Sequence, residues 1–396
     1  MQFKIVNAKV ITPYRILSPG TVYVSDDKIT AVTEGSVETP NIMEIDAGGR
    51  YVAPGFIDLH VHGGGGYSFM DGTVEAFLEV AKLHARYGTT ALSPTTLTSE
   101  RSELMEILDC YETASKKNVQ GAAFIGMHLE GPYIALSQAG AQDSRFIRNP
   151  DPDEYEEVLC RPGVVSRWSA APELKGALAF GRYLRSRGVI AAVCHTDAIY
   201  EELVEAFENG YTLATHFYSA MSGVTRRNAY RYAGVIEGGY LIDEMDVEII
   251  ADGVHLPAPL LKLIYAAKGP GRIALITDAM RAAGMPEGKS VLGSRRNGFP
   301  VIVEDGVAKL PDRSGFAGSV ATTDRLVRTM VEIAEVPLSE AVRMMTTTPA
   351  RIMGIGDRKG SLVAGKDADI VIFDEHIHIW KTIVGGRTVY DQPDNT

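Results

Sequence analysis

The sequence predicts an α/β fold: a (β/α)8 barrel of the TIM type with a small β-sandwich domain assembled from the N- and C-terminal segments. Three observations carry that prediction. Eight short apolar runs are spread through the middle of the chain, and segments of helical periodicity separate most of them. Both ends of the chain instead break into short apolar runs divided by turn residues, the pattern of strands joined by tight connections. A chain of 396 residues is long enough for a barrel and an appendage.

Taken in order, Phe3–Ile11, Thr21–Val24, Lys28–Thr33 and Met43–Ile45 read as strands, interrupted at Pro13, at Asp26-Asp27 and at Gly48-Gly49. The barrel strands follow as Phe56–Val61, Thr90–Leu92, Ala123–Met127, Val165–Ala170, Val189–Val193, Thr212–Ala214, Val247–Ile250 and Ile273–Ile276. Helical spacing of apolar residues appears at Val74–Arg86, Glu103–Ala114, Leu174–Arg187 and Leu260–Ala267. An open doubly wound sheet does not need eight repeats, whereas a closed barrel does. After the eighth strand, Val291–Leu310 reads as a hairpin turning at Glu304-Asp305-Gly306. Ala368–Phe373, Ile377–Lys381 and Arg387–Tyr390 return to the short-strand pattern. The expected division is residues 1–53 and 356–396 in the small β domain and 54–355 in the barrel.

The formal net charge of −11 argues against a nucleic-acid partner, because phosphate-backbone binding needs clustered cations. It leaves room for a small anionic substrate, which responds to a local pocket. No apolar run approaches membrane-spanning length and no signal peptide is visible, so no membrane partner is expected. Cys110, Cys160 and Cys194 form no spaced pair, which fits a reducing cytoplasm. Cys194 directly precedes His195, so strand alternation turns it to the opposite face, into core packing.

Barrel enzymes build their sites at the C-terminal ends of the strands. There the chain places His60 and His62 after strand one, His128 and Glu130 after three, His195 after five, His216 after six, Asp252 and His255 after seven, and Asp278 after eight. Six of the nine histidines thus gather on one rim, where ordinary core histidines would scatter. His60 and His62 alternate with Val61 and share one strand face, and the run Gly63–Gly66 behind them leaves that face open. This residue chemistry suits divalent metal, one or two ions. Zinc is the first expectation, with iron, manganese and cobalt as alternatives. Two neighbouring cations need a bridging anion, and Glu130 is the candidate. One ion takes His60, His62, Glu130 and Asp278; the other takes Glu130, His195 and His216.

These residues, in this order on these strands, resemble the amidohydrolase superfamily. The stretches "HLEGPYI", "GAQD", "CHTDA", "THFYSAM", "IADGVHLP" and "ITDAM" narrow the resemblance to its deacetylase family acting on N-acetylglucosamine 6-phosphate. The tail from Thr346, "TTTPARIMGIGDRKGSLVAGKDADIVIFDE", is similar to the superfamily's return into its small β domain. The resemblance runs from Pro54 to Tyr390. It implies hydrolysis of the N-acetyl group to glucosamine 6-phosphate and acetate, and a homodimer. It makes Asp278 the acid–base residue, which takes a proton from the attacking water and delivers it to the sugar nitrogen. It makes His255 the contact to the acetyl carbonyl.

In the substrate shell the chain departs from the family. Ser219-Ala220-Met221 stands where Asn-Ala-Met is common, and Gln142 stands where a histidine is usual. "GVTRRNAYRYAG" replaces a His-Arg pair followed by Pro-Gly, leaving Arg226 or Arg227 to meet a phosphate, in the family sometimes across a subunit boundary. Gln142, Ser219, Ala220, Arg226, Arg227 and His255 are the expected substrate contacts. The altered shell keeps N-acetylgalactosamine 6-phosphate or an N-acyl amino acid as alternative substrates. A non-catalytic scaffold is the remote alternative, and it would have shed metal ligands that this chain retains.

Overall fold

Eight parallel strands lie where the apolar runs place them: Phe56–Val61, Thr89–Thr96, Met127–Glu130, Val165–Ala170, Ile190–Val193, Tyr211–Ala214, Asp246–Ile249 and Ile273–Leu275. The computed structural model describes residues 2–38 and 42–392, the side chain of Arg227 excepted. Each strand pairs in parallel with the next. Main-chain bonds just beyond the eighth bring the ring nearly to closure: Asp278 N–H donates to His60 O at 3.0 Å and His62 N–H to Ala279 O at 2.9 Å.

The third apolar run is split. Ala123–Phe124 pairs with strand two, and Met127–Glu130 resumes the barrel after Gly126. Gly126 sits at φ +99°, and a Cβ there would come within 2.4 Å of Ser166 Cβ, so only glycine permits the bend. Helices including Val74–Ala85, Arg101–Lys117, Ala177–Ser186 and Ala258–Lys268 cover the barrel exterior. Thr73 starts the first of these by accepting from Ala76 N–H at 3.2 Å. On strand four, alternation sends Trp168 outward, where its ring lies 5.4 Å from Tyr133 and 5.1 Å from Phe180, and sends Arg167 and Ser169 inward. Cys194 is fully buried, as expected of a packing residue.

The chain ends share one eight-stranded sheet. Tyr51–Pro54, leading into the barrel, pairs antiparallel with Ile370–Phe373, leading out of it, so the two terminal segments meet in the middle of the sheet. Phe3, Ile5, Val22, Ile29, Ile370 and Ile372 pack into a core of their own.

The expected hairpin after strand eight is larger than its sequence pattern suggested. Gly288–Leu292, Phe299–Glu304, Val307–Lys309 and Phe316–Ser319 form a four-stranded antiparallel sheet. The expected turn is present, with Asp305 at φ 55° and Gly306 at φ 69°. The sheet's last strand returns to the barrel rim, where Ser319 N–H donates to Asp278 O at 2.8 Å. Among the described residues no helix is long and apolar enough to cross a membrane.

Candidate active site

The C-terminal rim brings together all six expected metal-site residues. Glu130 is the centre: its Oε1 lies 2.8 Å from His216 Nε2 and 3.3 Å from His195 Nε2, and its Oε2 lies 3.3 Å from His62 Nε2. Asp278 Oδ1 lies 3.2 Å from His62 Nε2 and 3.4 Å from His60 Nε2. Two potential metal sets result, His60–His62–Glu130 and Glu130–His195–His216, with the donor atoms of each within 4.8 Å of one another and all five residues buried.

Backbone geometry aims these groups. His195, His216 and Asp278 have φ of 43°, 33° and 49°, a left-handed conformation that turns each side chain into the barrel mouth as its strand ends. His195 Nδ1–H donates to Gln138 O at 2.7 Å and His216 Nδ1–H to Ser219 O at 3.2 Å. A carbonyl can only accept, so both rings carry a proton on Nδ1 and turn Nε2, the remaining ligand atom, toward the cluster. At strand one, Asp58 fixes the neighbouring rim: it accepts from Thr277 Oγ1–H at 2.6 Å and from His60 N–H at 3.2 Å, tying His60 to the Asp278 segment. Burial raises its pKa to about 7, against the pull of those bonds.

The electrostatics favour a cation. Burial alone would raise the pKa of Glu130, but His60, His195 and His216 outweigh it and hold the carboxyl well below its usual range. Asp278 is likewise held low by His60 and His62 despite burial. Burial tends to strip the proton from His62, yet the two carboxylates raise its pKa to about 10, while for His60 burial prevails over the same carboxylates and pushes its pKa down. Two carboxylates and four imidazoles converging at one point are a donor set for a divalent ion.

The cluster floors a cavity of about 500 Å³, within the range of small-molecule sites. His255 is on its wall, held by Asp252, whose Oδ2 accepts Nδ1–H at 2.8 Å and whose Oδ1 accepts His255 N–H at 2.8 Å. Ser219 and Ala220 also line it. Gln142 does too, but its amide is engaged: Nε2–H donates to Glu130 Oε2 at 2.6 Å and Oε1 accepts from Thr98 N–H at 2.8 Å. It therefore steadies Glu130. Arg226 is not brought to the cavity. It is exposed on a hairpin pairing Thr225–Arg227 with Tyr230–Tyr232, and the side chain of Arg227 lies outside the described residues. No described lysine or arginine lines the cavity.

The sequence reading missed a buried layer beneath the cluster. Arg167 on strand four pairs with Glu248 on strand seven, and Arg167 also donates to His128 Nδ1 at 2.6 Å and to Leu59 O at 2.9 Å. The signal was available: an arginine or a glutamate inside a short apolar strand is out of place unless it is paired.

The model of the amidohydrolase family matches residues 51–395. An N-acetylglucosamine-6-phosphate deacetylase of Lysinibacillus sphaericus is 33% identical over 372 residues, 92% of each chain. An N-acetylgalactosamine-6-phosphate deacetylase of Escherichia coli O157:H7 is 32% identical, covering 96% of this chain and 97% of its own. Among solved structures, a mutant N-acetyl-D-glucosamine-6-phosphate deacetylase from Mycobacterium smegmatis in complex with N-acetyl-D-glucosamine-6-phosphate superimposes with a TM-score of 0.90 at 32% identity, covering 98% of this chain and 99% of its own.

Proposed function

This chain belongs to the amidohydrolase family, and we propose that it hydrolyses the N-acetyl group of N-acetylglucosamine 6-phosphate to glucosamine 6-phosphate and acetate. The carrying observation is the two His/carboxylate sets that share Glu130 on the floor of one cavity, with Asp278 and the Asp252-held His255 on the same cavity. A divalent ion would be held by Glu130, His195 and His216, and a second by His60, His62, Glu130 and Asp278. When bound, such an ion supplies Lewis acidity toward the amide carbonyl and lowers the pKa of water toward about 7.

The protein's own groups carry the proton traffic. Asp278, ionised in the free site, takes a proton from the water that attacks the acetyl carbon and gives it to the sugar nitrogen as the C–N bond breaks. Asp252 holds His255 through Nδ1 and leaves Nε2 for the acetyl oxygen. Nε2 is thereby aimed at the charge developing on that oxygen, where a donor contact is worth about 3–4 kcal/mol. The described cavity wall carries no lysine or arginine, so the 6-phosphate is met by Arg226 or Arg227 from the exposed hairpin of a second copy in a homodimer.

The same reading places the protein in the cytoplasm, consistent with Cys110, Cys160 and Cys194 all being free thiols, and takes zinc as the native ion. Residues 1–53 and 356–396 would form a small β-sandwich domain beside the barrel of 54–355. Acetate release tests the function across N-acetylglucosamine and N-acetylgalactosamine, each with and without the 6-phosphate, and N-acetyl amino acids. The expected best kcat/KM is on N-acetylglucosamine 6-phosphate. A higher value on any other member overturns the assignment.

A further inference from the structure

His60 and His62 differ from His195 and His216 in what the second ring nitrogen meets, and of the two it is His60 whose Nδ1 faces a carboxylate. His195 and His216 each have a main-chain carbonyl to fix the ring. His60 Nδ1 has no hydrogen bond, although it is buried inside the barrel. The atom facing it, Glu248 Oε2 at 3.7 Å, is buried and without a hydrogen bond too. A potential donor and an acceptor, both unpaired and facing each other, are an incomplete contact rather than a coincidence of packing, because buried polar atoms are almost always satisfied. The rest of Glu248 is in place: its Oε1 accepts from Arg167, and Arg167 is braced on Leu59 O and His128 Nδ1. The layer beneath the rim, where barrels ordinarily carry Val, Ile and Leu, therefore holds a fully buried ion pair.

We propose that Glu248, held by Arg167, is a positioning residue for His60: its free oxygen accepts Nδ1–H of His60 and fixes the tautomer whose Nε2 lone pair faces the cation shared with His62 and Asp278. This does for His60 what carbonyls do for His195 and His216, and a tightening of roughly 1 Å brings the 3.7 Å pair to hydrogen-bond length. Without that acceptor the ring's proton moves to Nε2 and points at the cation. The proposal rests on the metal-dependent reading above.

Glu248→Gln is the discriminating variant. Arg167 will take the amide oxygen, leaving the NH2 group toward His60 Nδ1, and the ring then has to accept there and carry its proton on Nε2. The experiment is a cobalt titration of metal-stripped full-length protein, followed by visible absorption and chelator competition, with His60→Asn identifying the phase that belongs to His60. The expected result is two phases in the unsubstituted protein, with the His60 phase weakened about 10- to 100-fold in Glu248→Gln and the Glu130–His195–His216 phase unmoved. Glu248→Asp, which keeps the carboxylate, should recover part of the loss. Where Glu248→Gln does not fold, the paired replacement Glu248→Leu with Arg167→Met removes both charges together and should show the same selective weakening. An unmoved His60 phase, an equal loss in both phases, or a single phase in the unsubstituted protein overturns the proposal. Absence of any cobalt binding instead overturns the metal reading beneath it.

Discussion

Replacing Asp278 by asparagine removes a proton acceptor while leaving the local backbone alone. Asp278 has φ of 49°, a left-handed conformation that asparagine adopts and alanine resists. The bonds holding the segment, Asp278 N–H to His60 O at 3.0 Å and Ser319 N–H to Asp278 O at 2.8 Å, do not involve the side chain. Charge is what changes. Loss of acid–base catalysis alone lowers kcat by about 10²–10⁴-fold, or roughly 3–5 kcal/mol of barrier. The carboxylate whose charge is lost has its Oδ1 3.2 and 3.4 Å from the Nε2 atoms of His62 and His60. A unit charge at about 4 Å from a unit charge contributes about 4 kcal/mol at an effective dielectric of about 20. The ion on the His60–His62 side should therefore weaken sharply, while Glu130, His195 and His216 keep their own carboxylate. Coupled acetate-release assays at saturating substrate, with elemental analysis of the same samples, measure both effects. A variant retaining more than about a tenth of the wild-type kcat would refute Asp278 as the proton carrier.

Three further outcomes follow from the same geometry. Alanine at both Arg226 and Arg227 should lower kcat/KM for the 6-phosphate about ten- to a hundredfold, the loss of a charge-assisted hydrogen bond, and leave the plain sugar nearly untouched; equal losses on both substrates would give the pair another role. His62, with its pKa raised to about 10 in the ion-free site, holds its proton until the pH passes that value, so cation binding at pH 8 should release about one proton. Calorimetric titration in buffers of different ionisation enthalpy reads that proton directly, and a buffer-independent enthalpy would contradict it. At Asp367, burial raises the pKa, but Lys28 at 2.6 Å with Lys359 and Arg358 at 3.1 and 3.0 Å outweigh it and hold the carboxyl at about 2. Because the folded value lies below the unfolded one, the stabilisation is present above about pH 4 and is lost as the pH falls through about 2. After discounting for the solvent-exposed cations, Asp367→Asn should cost about 1–2 kcal/mol at pH 7, with the gap in urea unfolding closing toward pH 2.5.

How much was legible depended on how local each signal was. Five of the barrel strands run into a histidine at or just after their ends, and a rim histidine directly after an apolar run declares both the strand and its functional end. The insertion after strand eight was under-read because Gly288-Lys289-Ser290 carries no alternation to mark a strand. The hairpin at Arg226 escaped for the same reason, since its described residues are exposed or only half-buried and print no period of two. Gln142 was legible as a member of the site but not as the brace of Glu130, because that contact depends on how the loop between them folds back. The Arg167–Glu248 pair spans 81 positions, and only the closing of the barrel brings the two together.

Whether a cation held by these histidines and carboxylates drives acetyl removal is decided by following acetate release from N-acetylglucosamine 6-phosphate before chelation, after chelation, and after the stripped protein is reloaded with zinc. The expected result is turnover that is lost on stripping, restored by zinc, and not restored in Glu130→Gln. Undiminished acetate release from protein shown by elemental analysis to be metal-free would contradict it.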